Sequence, residues 1–205
     1  MSIAGLVLAG GRSSRMGSDK ALTVLDGMTL LERAVARLAP QVKVLAVSAN
    51  SDPAAHSLPG APILPDTLAG FRGPLAGLLA GLQWTARETD CTAMVSVAVD
   101  TPFFPLDLVA RLAEASASDA DRIVVARSAG RAHPVFALWP LDHCRKLERF
   151  LATDAKGKVM AYIEEQRHVM LDFPSGTTPG SDLFFNVNTP ADLAAARALL
   201  AAEKQ

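Results

Sequence analysis

Residues 8–20 read LAGGRSSRMGSDK and follow the apolar run Ile3-Ala4-Gly5-Leu6-Val7 without a break. Paired glycines let a chain leaving a buried strand turn tightly, so that backbone N–H groups converge on one point. Arg12, Arg15 and Lys20 bring positive charge to the same loop. The chemistry this suits is holding a polyphosphate. Two better-known phosphate loops do not fit, because five residues separate Gly11 from Gly17 and Ala21 follows Lys20, whereas the P-loop needs Gly-Lys-Ser/Thr at a shorter spacing. The dinucleotide pattern G-x-G-x-x-G is absent as well. Taken alone, the loop is also readable as a basic surface turn.

A second set of residues fits the same chemistry. Asp100 ends the hydrophobic run TAMVSVAV, residues 92–99, and precedes Thr-Pro-Phe-Phe-Pro. A carboxylate there suits Mg²⁺, whose remaining ligands are typically waters and phosphate oxygens, and equally suits a turn cap before Pro102. Lys20 and Arg15 are the cations that would stabilise charge building on a leaving pyrophosphate. Asp19 either orients Lys20 or faces water. Asn50 and Asp66 follow later strands and offer an amide and an acceptor carboxylate to the edge of a base, guanine matching the carboxylate through its N1–H and amine. An Asx-turn is the alternative for either residue.

The segment Gly70–Gly77, GFRGPLAG, allows close approach of backbone to a ligand or of a helix to a sheet. His133 beside Pro134 reads as a structural hydrogen-bonder rather than a general base. His56, His133, His143 and His168 show no paired metal-ligand spacing. No G-x-S-x-G nucleophile elbow occurs.

The elements that must position these residues alternate along the chain. Strands are expected at Ile3–Leu8, Val42–Val47, 92–99 and Val169–Phe173, with a short stretch PILP at 62–65. Helices are expected at Thr29–Leu38, at Leu75–Thr85 after Gly73-Pro74, from Pro105 to Ala115, at Asp142–Leu151, at Lys156–Glu165 and after Asn188-Thr189-Pro190. Ile123–Ala126 and Val135–Leu138 flank SAGRAHP and form either a hairpin or a split insertion. The pattern predicts an α/β fold, Rossmann-like, with a mostly parallel sheet and helices on both faces. Such sheets bind ligands beyond the carboxyl ends of their strands. That rule puts the glycine loop, Asn50 and Asp100 at one edge.

The whole chain sets the bounds. Its 205 residues suit a single domain, and 50% hydrophobic content with 20% charge is that of a folded protein. A net charge of −1 disfavours nucleic acid or an acidic membrane as partner. Two cysteines, Cys91 and Cys144, fit a reducing compartment rather than a disulfide scaffold. No signal peptide or membrane-length apolar run is apparent, so a cytoplasmic location is expected.

Five motifs occur in order: LAGGRSSRMGSDK, GPLAG at 73–77, DTPFFP at 100–105, HP at 133–134 and NVNTP at 186–190. Together they resemble the molybdenum cofactor guanylyltransferases (MobA), a branch of the nucleotidyltransferases with L-x-G-G-x-x-x-R-M-G-x-D-K loops. The glycine loop alone marks only the broad superfamily, while the NVNTP motif and the compact length narrow it. The resemblance implies a Rossmann-like nucleotidyltransferase domain over residues 1–205, with GTP and Mo-molybdopterin as substrates and Mg²⁺ as cofactor. It implies formation of the guanine dinucleotide form of the cofactor and pyrophosphate, with molybdoenzymes or their chaperones receiving the product. By motif, Leu8, Ala9 and Gly10 border the nucleotide, Lys20 meets its phosphates, Asn50 and Asp66 match nucleotide-binding positions, and Asp100 matches the aspartate that binds Mg²⁺ and nucleotide. Where the family usually has a Pro-Cys pair before that aspartate, this chain has Ala98-Val99. The alternatives are a related cytidylyltransferase, a sugar-phosphate nucleotidyltransferase, or a non-enzymatic nucleotide-binding cofactor chaperone.

Overall fold

The computed structural model describes residues 1–10, 20–50, 58–67, 73–153, 158–174 and 182–203. A seven-stranded sheet runs through it. Its central strand, β1 (Ile3–Leu8), has all six residues buried. The small hairpin β2 (Val24–Leu25) and β3 (Met28–Thr29) stands apart from that sheet. The larger sheet is completed by β4 (Val44–Ser48), β5 (Ile63–Leu64), β6 (Ala93–Ala98), β7 (Ile123–Ser128), β8 (Arg131–Pro140) and β9 (His168–Asp172). The strand order is β5-β4-β1-β6-β8-β7-β9. All the pairings are parallel except the two made by β8.

Odd and even positions of the strands feed two separate cores. Ile3, Val7, Val95 and Val97 pack with helices α1 (Leu30–Leu38), α3 (Leu108–Ser116) and α6 (Pro190–Glu203) on one face. Leu6, Leu8 and Met94 pack with α2 (Pro74–Glu88), α4 (His143–Thr153) and α5 (Val159–Glu164) on the other. Both faces of each central strand are thus covered, which is why β1 and β6 read as unbroken apolar runs rather than alternating ones. The α/β, Rossmann-like architecture with a mostly parallel sheet agrees with the sequence reading.

The helices show how local sequence and distant contacts share control. Helix α1 begins at a capping box, in which the Thr29 hydroxyl accepts Glu32 N–H at 3.1 Å and Glu32 accepts Thr29 N–H at 2.6 Å. Helix α2 starts with Pro74 at its first position. Its glycines let it lie close to the sheet, since a Cβ on Gly77 would stand 2.4 Å from Ser48 Oγ and one on Gly81 2.5 Å from Leu6 Cδ2. Helix α3 differs from expectation by starting at Leu108 instead of Pro105. The Gln41 side chain is the cause: its amide donates to Pro105 O at 3.2 Å and its oxygen accepts Val109 N–H at 3.0 Å. A residue from another element therefore caps α3 and leaves 105–107 as a turn.

The segment from Ile123 to Pro140 is the hairpin rather than an insertion. Ala129 and Gly130 lie at φ +47° and +74°, the left-handed pair of a two-residue turn whose twist suits a β-hairpin. The β7–β8 register jumps from Val125↔Ala137 to Ala126↔His133. Pro134 sits in that bulge, where no ladder donor is required of it.

Candidate active site

Each parallel strand ends at the same edge of the sheet, and the polar residues follow those ends directly. Ala9 N–H donates to Ser48 O at 2.9 Å and Val99 N–H to Leu8 O at 3.1 Å, so the ends of β1, β4 and β6 are tied level. Leu8, Ala9 and Gly10 form the floor of a cleft of about 380 Å³ whose walls include Lys20, Asp100, Arg131, His133, Asn186 and Asn188.

Lys20 opens a short 3₁₀ turn, Lys20–Leu22. Its Nζ donates to Asp100 Oδ2 at 2.9 Å and to Asn188 Oδ1 at 2.6 Å. The Lys20 and Asp100 side chains are 16% and 28% exposed, so the pair is neither sealed nor freely solvated. The loop before α6 is fastened to the same strand end. Val187 N–H donates to Asp100 O at 2.7 Å, and the Thr101 hydroxyl meets Asn186 Oδ1 at 2.5 Å and Asp100 Oδ1 at 3.2 Å. A hydroxyl has one proton to give, and the shorter contact takes it. Asp100 Oδ1 therefore keeps lone pairs for a cation, while Oδ2 holds Lys20.

Asn50 and Asp66 form a second polar unit beyond Gly10. Asn50 Nδ2 donates to Asp66 Oδ2 at 2.7 Å, and Asp66 N–H donates to Asn50 Oδ1 at 2.8 Å. A Cβ placed on Gly10 would lie 3.9 Å from Asn50 Nδ2, so this unit adjoins the cleft floor. Partial burial raises the Asp66 carboxyl pKa, and the Asn50 hydrogen bond acts against that rise. The reciprocal bonds fix both side chains and leave Asp66 Oδ1 as an acceptor.

The structure thus brings together Leu8, Ala9, Gly10, Lys20 and Asp100, with Asn50 and Asp66 alongside. Arg15, Arg12 and Asp19 lie outside the described residues. His133 sits in the cleft wall with its ring stacked on Phe184 at 4.2 Å and Nε2 2.8 Å from Ser128 Oγ. Burial lowers its pKa, with the Arg131 charge acting in the same direction and Asp182 opposing. Stacked and bonded in this way, it serves the wall. Gly77 is accounted for by the packing of α2. The residues that sequence reasoning left without a role are Asn186 and Asn188. Their signal is a pair of asparagines two apart, immediately before the Thr-Pro that opens a helix.

Among the described residues no three His, Cys, Asp or Glu side chains cluster as a metal site. Asp100 is the described carboxylate in the cleft that would hold an ion whose other ligands are waters and phosphate oxygens.

The sequence profile of the MobA-like NTP transferase domain matches residues 5–169. The chain belongs to this family. Among similar members, the molybdenum cofactor guanylyltransferase of Mesorhizobium japonicum is 49% identical over 97% of this chain and 96% of its own length. That of Rhizobium meliloti is 44% identical over 95% and 90%. The fold is shared with the molybdopterin-guanine dinucleotide biosynthesis protein A of Archaeoglobus fulgidus, at a TM-score of 0.76 and 24% identity, covering 97% of this chain and 99% of that one. It is shared too with Rv0371c of Mycobacterium tuberculosis, solved as a manganese complex, at a TM-score of 0.66 and 19% identity over 97% and 98% of the two chains. This MobA-like chain is accordingly a nucleotidyltransferase. Among its described residues no helix is long and apolar enough to cross a membrane.

Proposed function

We propose that residues 1–205 act as one nucleotidyltransferase domain that transfers GMP from GTP to Mo-molybdopterin, giving Mo-molybdopterin guanine dinucleotide and pyrophosphate. The observation that carries this reading is the meeting of Lys20 and Asp100 at 2.9 Å inside the cleft, 80 residues apart in sequence, in a chain whose curated relatives are guanylyltransferases. Leu8, Ala9 and Gly10 are the floor under the nucleotide. Asp66, held by Asn50, is the acceptor for the N1–H and amine of guanine.

The acceptor phosphate needs no activation by a base, because a phosphomonoester dianion has no proton to lose. One of its oxygens forms a bond to the α-phosphorus of GTP. The bond from that phosphorus to the bridging oxygen breaks, and the electron pair departs with pyrophosphate. The chain's part is positioning and charge neutralisation. Lys20 reaches the phosphates from the loop after β1, and Arg15 from the same loop adds a second cation. Asp100 would hold Mg²⁺, which when bound offsets the negative charge gathering on the leaving group. Asn188 steers Lys20. The reading also places the enzyme in the cytoplasm, in keeping with its free thiols Cys91 and Cys144, with molybdoenzymes or their chaperones as receivers of the product.

The test is an incorporation assay with Mo-molybdopterin, Mg²⁺ and radiolabelled GTP or CTP. GMP incorporation well above CMP incorporation is expected. Preferred incorporation of CMP overturns the choice of guanine, and nucleotide binding without pyrophosphate release overturns the enzyme reading.

A further inference from the structure

The carboxyl edge of the sheet forms a row. Asn50 and Asp66 follow β4 and β5, Gly10 follows β1, and Asp100 follows β6. The next strand in the row, β8, is antiparallel to β6. It therefore presents its first residue at this edge instead of its last, and that residue is Arg131.

Lys20 and Arg131 line the same cleft but differ in what they hold. Lys20 is paired with Asp100 and Asn188 and keeps one of its three donors. Arg131 is exposed, and among the described residues its guanidinium has no ion pair and no hydrogen-bond acceptor. It lines the cleft wall beside Ala132 and His133. The side chain is a planar fork of five donors fitted to two oxygens of one phosphate.

We propose that Arg131 binds the terminal phosphomonoester of the acceptor and so forms the acceptor-phosphate subsite of the cleft. The proposal rests on the guanylyl-transfer reading above. In-line displacement puts the nucleophile and the leaving group on opposite sides of the α-phosphorus. Lys20, the described cation for the leaving pyrophosphate, follows β1 in the chain. Arg131 enters from the β8 side, with the Asp100 strand between them in the sheet order. It therefore meets the phosphate that arrives. Two anions must approach each other for the reaction to occur, and a cation on the incoming one offsets their repulsion. Arg131 neither gives up a proton nor forms a bond in the step.

The test compares the wild type with Arg131→Ala and Arg131→Lys in steady-state GMP transfer, varying Mo-molybdopterin at saturating GTP and then the reverse. Arg131→Ala is expected to raise the KM for Mo-molybdopterin roughly tenfold or more, the scale of one lost charged hydrogen-bonding partner, with the KM for GTP within about twofold of wild type. Arg131→Lys is expected to recover part of the loss, since it restores charge without the fork. An unchanged KM for Mo-molybdopterin, or an equal rise in both KM values, overturns the subsite while leaving the guanylyl-transfer reading intact. A wild-type protein that transfers no GMP to Mo-molybdopterin overturns that reading, and the subsite with it.

Discussion

Two polar clusters in this molecule have nearly the same hydrogen-bond geometry and opposite surroundings. Lys20, Asp100 and Asn188 meet at 2.6 and 2.9 Å in the cleft. His143, at the start of α4, and Tyr162, in α5, meet at 2.8 Å with the Asp121 carbonyl 3.3 Å from the far ring nitrogen. The second cluster is buried, with Tyr162 fully covered and His143 1% exposed. Its members are neutral and fully matched. An imidazole protonated at Nε2 donates to Asp121 O and accepts the Tyr162 hydroxyl at Nδ1. Burial pushes the His143 pKa down and the Tyr162 pKa up, so both stay uncharged. The cleft cluster instead carries full charges, remains open to a ligand, and keeps acceptor capacity on Asp100 Oδ1. Short hydrogen bonds alone do not distinguish a reactive site from a structural one. Charge, access and unspent valence do.

The sharpest way to break that contrast is Asp100→Ala. If Asp100 is the metal-holding carboxylate, Mg²⁺-dependent pyrophosphate release falls by about 10²-fold or more, the scale for removing one electrostatic stabiliser. The folding midpoint shifts little, because the residue is partly exposed and outside both cores. Near-normal turnover would remove the cleft cluster from the chemistry.

Tyr162→Phe is the mirror experiment. It leaves His143 Nδ1 buried without a donor, which costs about 1–3 kcal/mol. A fall of that size in the denaturant-unfolding free energy is expected, with kcat unchanged. A variant that unfolds normally but turns over slowly would mean that the sealed cluster communicates with the cleft.

Asn188→Ala tests the inner structure of the cleft cluster. It removes one of the two acceptors for Lys20 and leaves Asp100 in place. A single hydrogen bond contributes about 0.5–1.5 kcal/mol net, so kcat should fall roughly 2- to 12-fold, well short of Asp100→Ala. The backbone of Asn188 is held by Asp192, whose Oδ2 accepts the Asn188 and Thr189 N–H groups at 2.9 and 2.8 Å. The loop therefore keeps its shape in the variant. A loss equal to that of Asp100→Ala would give Asn188 a role beyond steering the lysine.

The contrast also explains what the sequence discloses. β1 and β6 are legible because burial on both faces leaves unbroken apolar runs. Asp100 is legible because it stands at the end of such a run, and Lys20 because it closes the glycine motif that follows one. The start of α3 is not, since Gln41 caps it from across the fold. Nor is the reach of β8 back to Arg131, because Pro134 reads as a turn residue until its bulge is seen. Asn188 is the clearest case: its partner lies 168 residues away, and no local pattern joins a helix-start asparagine to a glycine-loop lysine. Arg15 belongs to the legible motif but lies outside the described residues, so its part in the cleft rests on the sequence.

The smallest effect separates the clusters by pH. His143 has its pKa lowered in the folded state, by burial first and by Lys146, with the Asp121 carbonyl and the Asp121 and Asp142 charges opposing. A histidine in the unfolded chain titrates near pH 6.5. Its stabilising contribution is therefore complete above about pH 6.5 and is lost as pH falls from there towards the folded pKa, because the unfolded state binds the proton more readily. His133 shifts in the same direction, so wild-type acid sensitivity combines the two. The difference between wild type and His143→Gln isolates one of them. Unfolding free energies at pH 7.5 and pH 5.5 should fall less on acidification in the variant than in the wild type. An identical fall in the two proteins would mean that His143 titrates as if exposed, and the sealed character of its cluster would have to be abandoned.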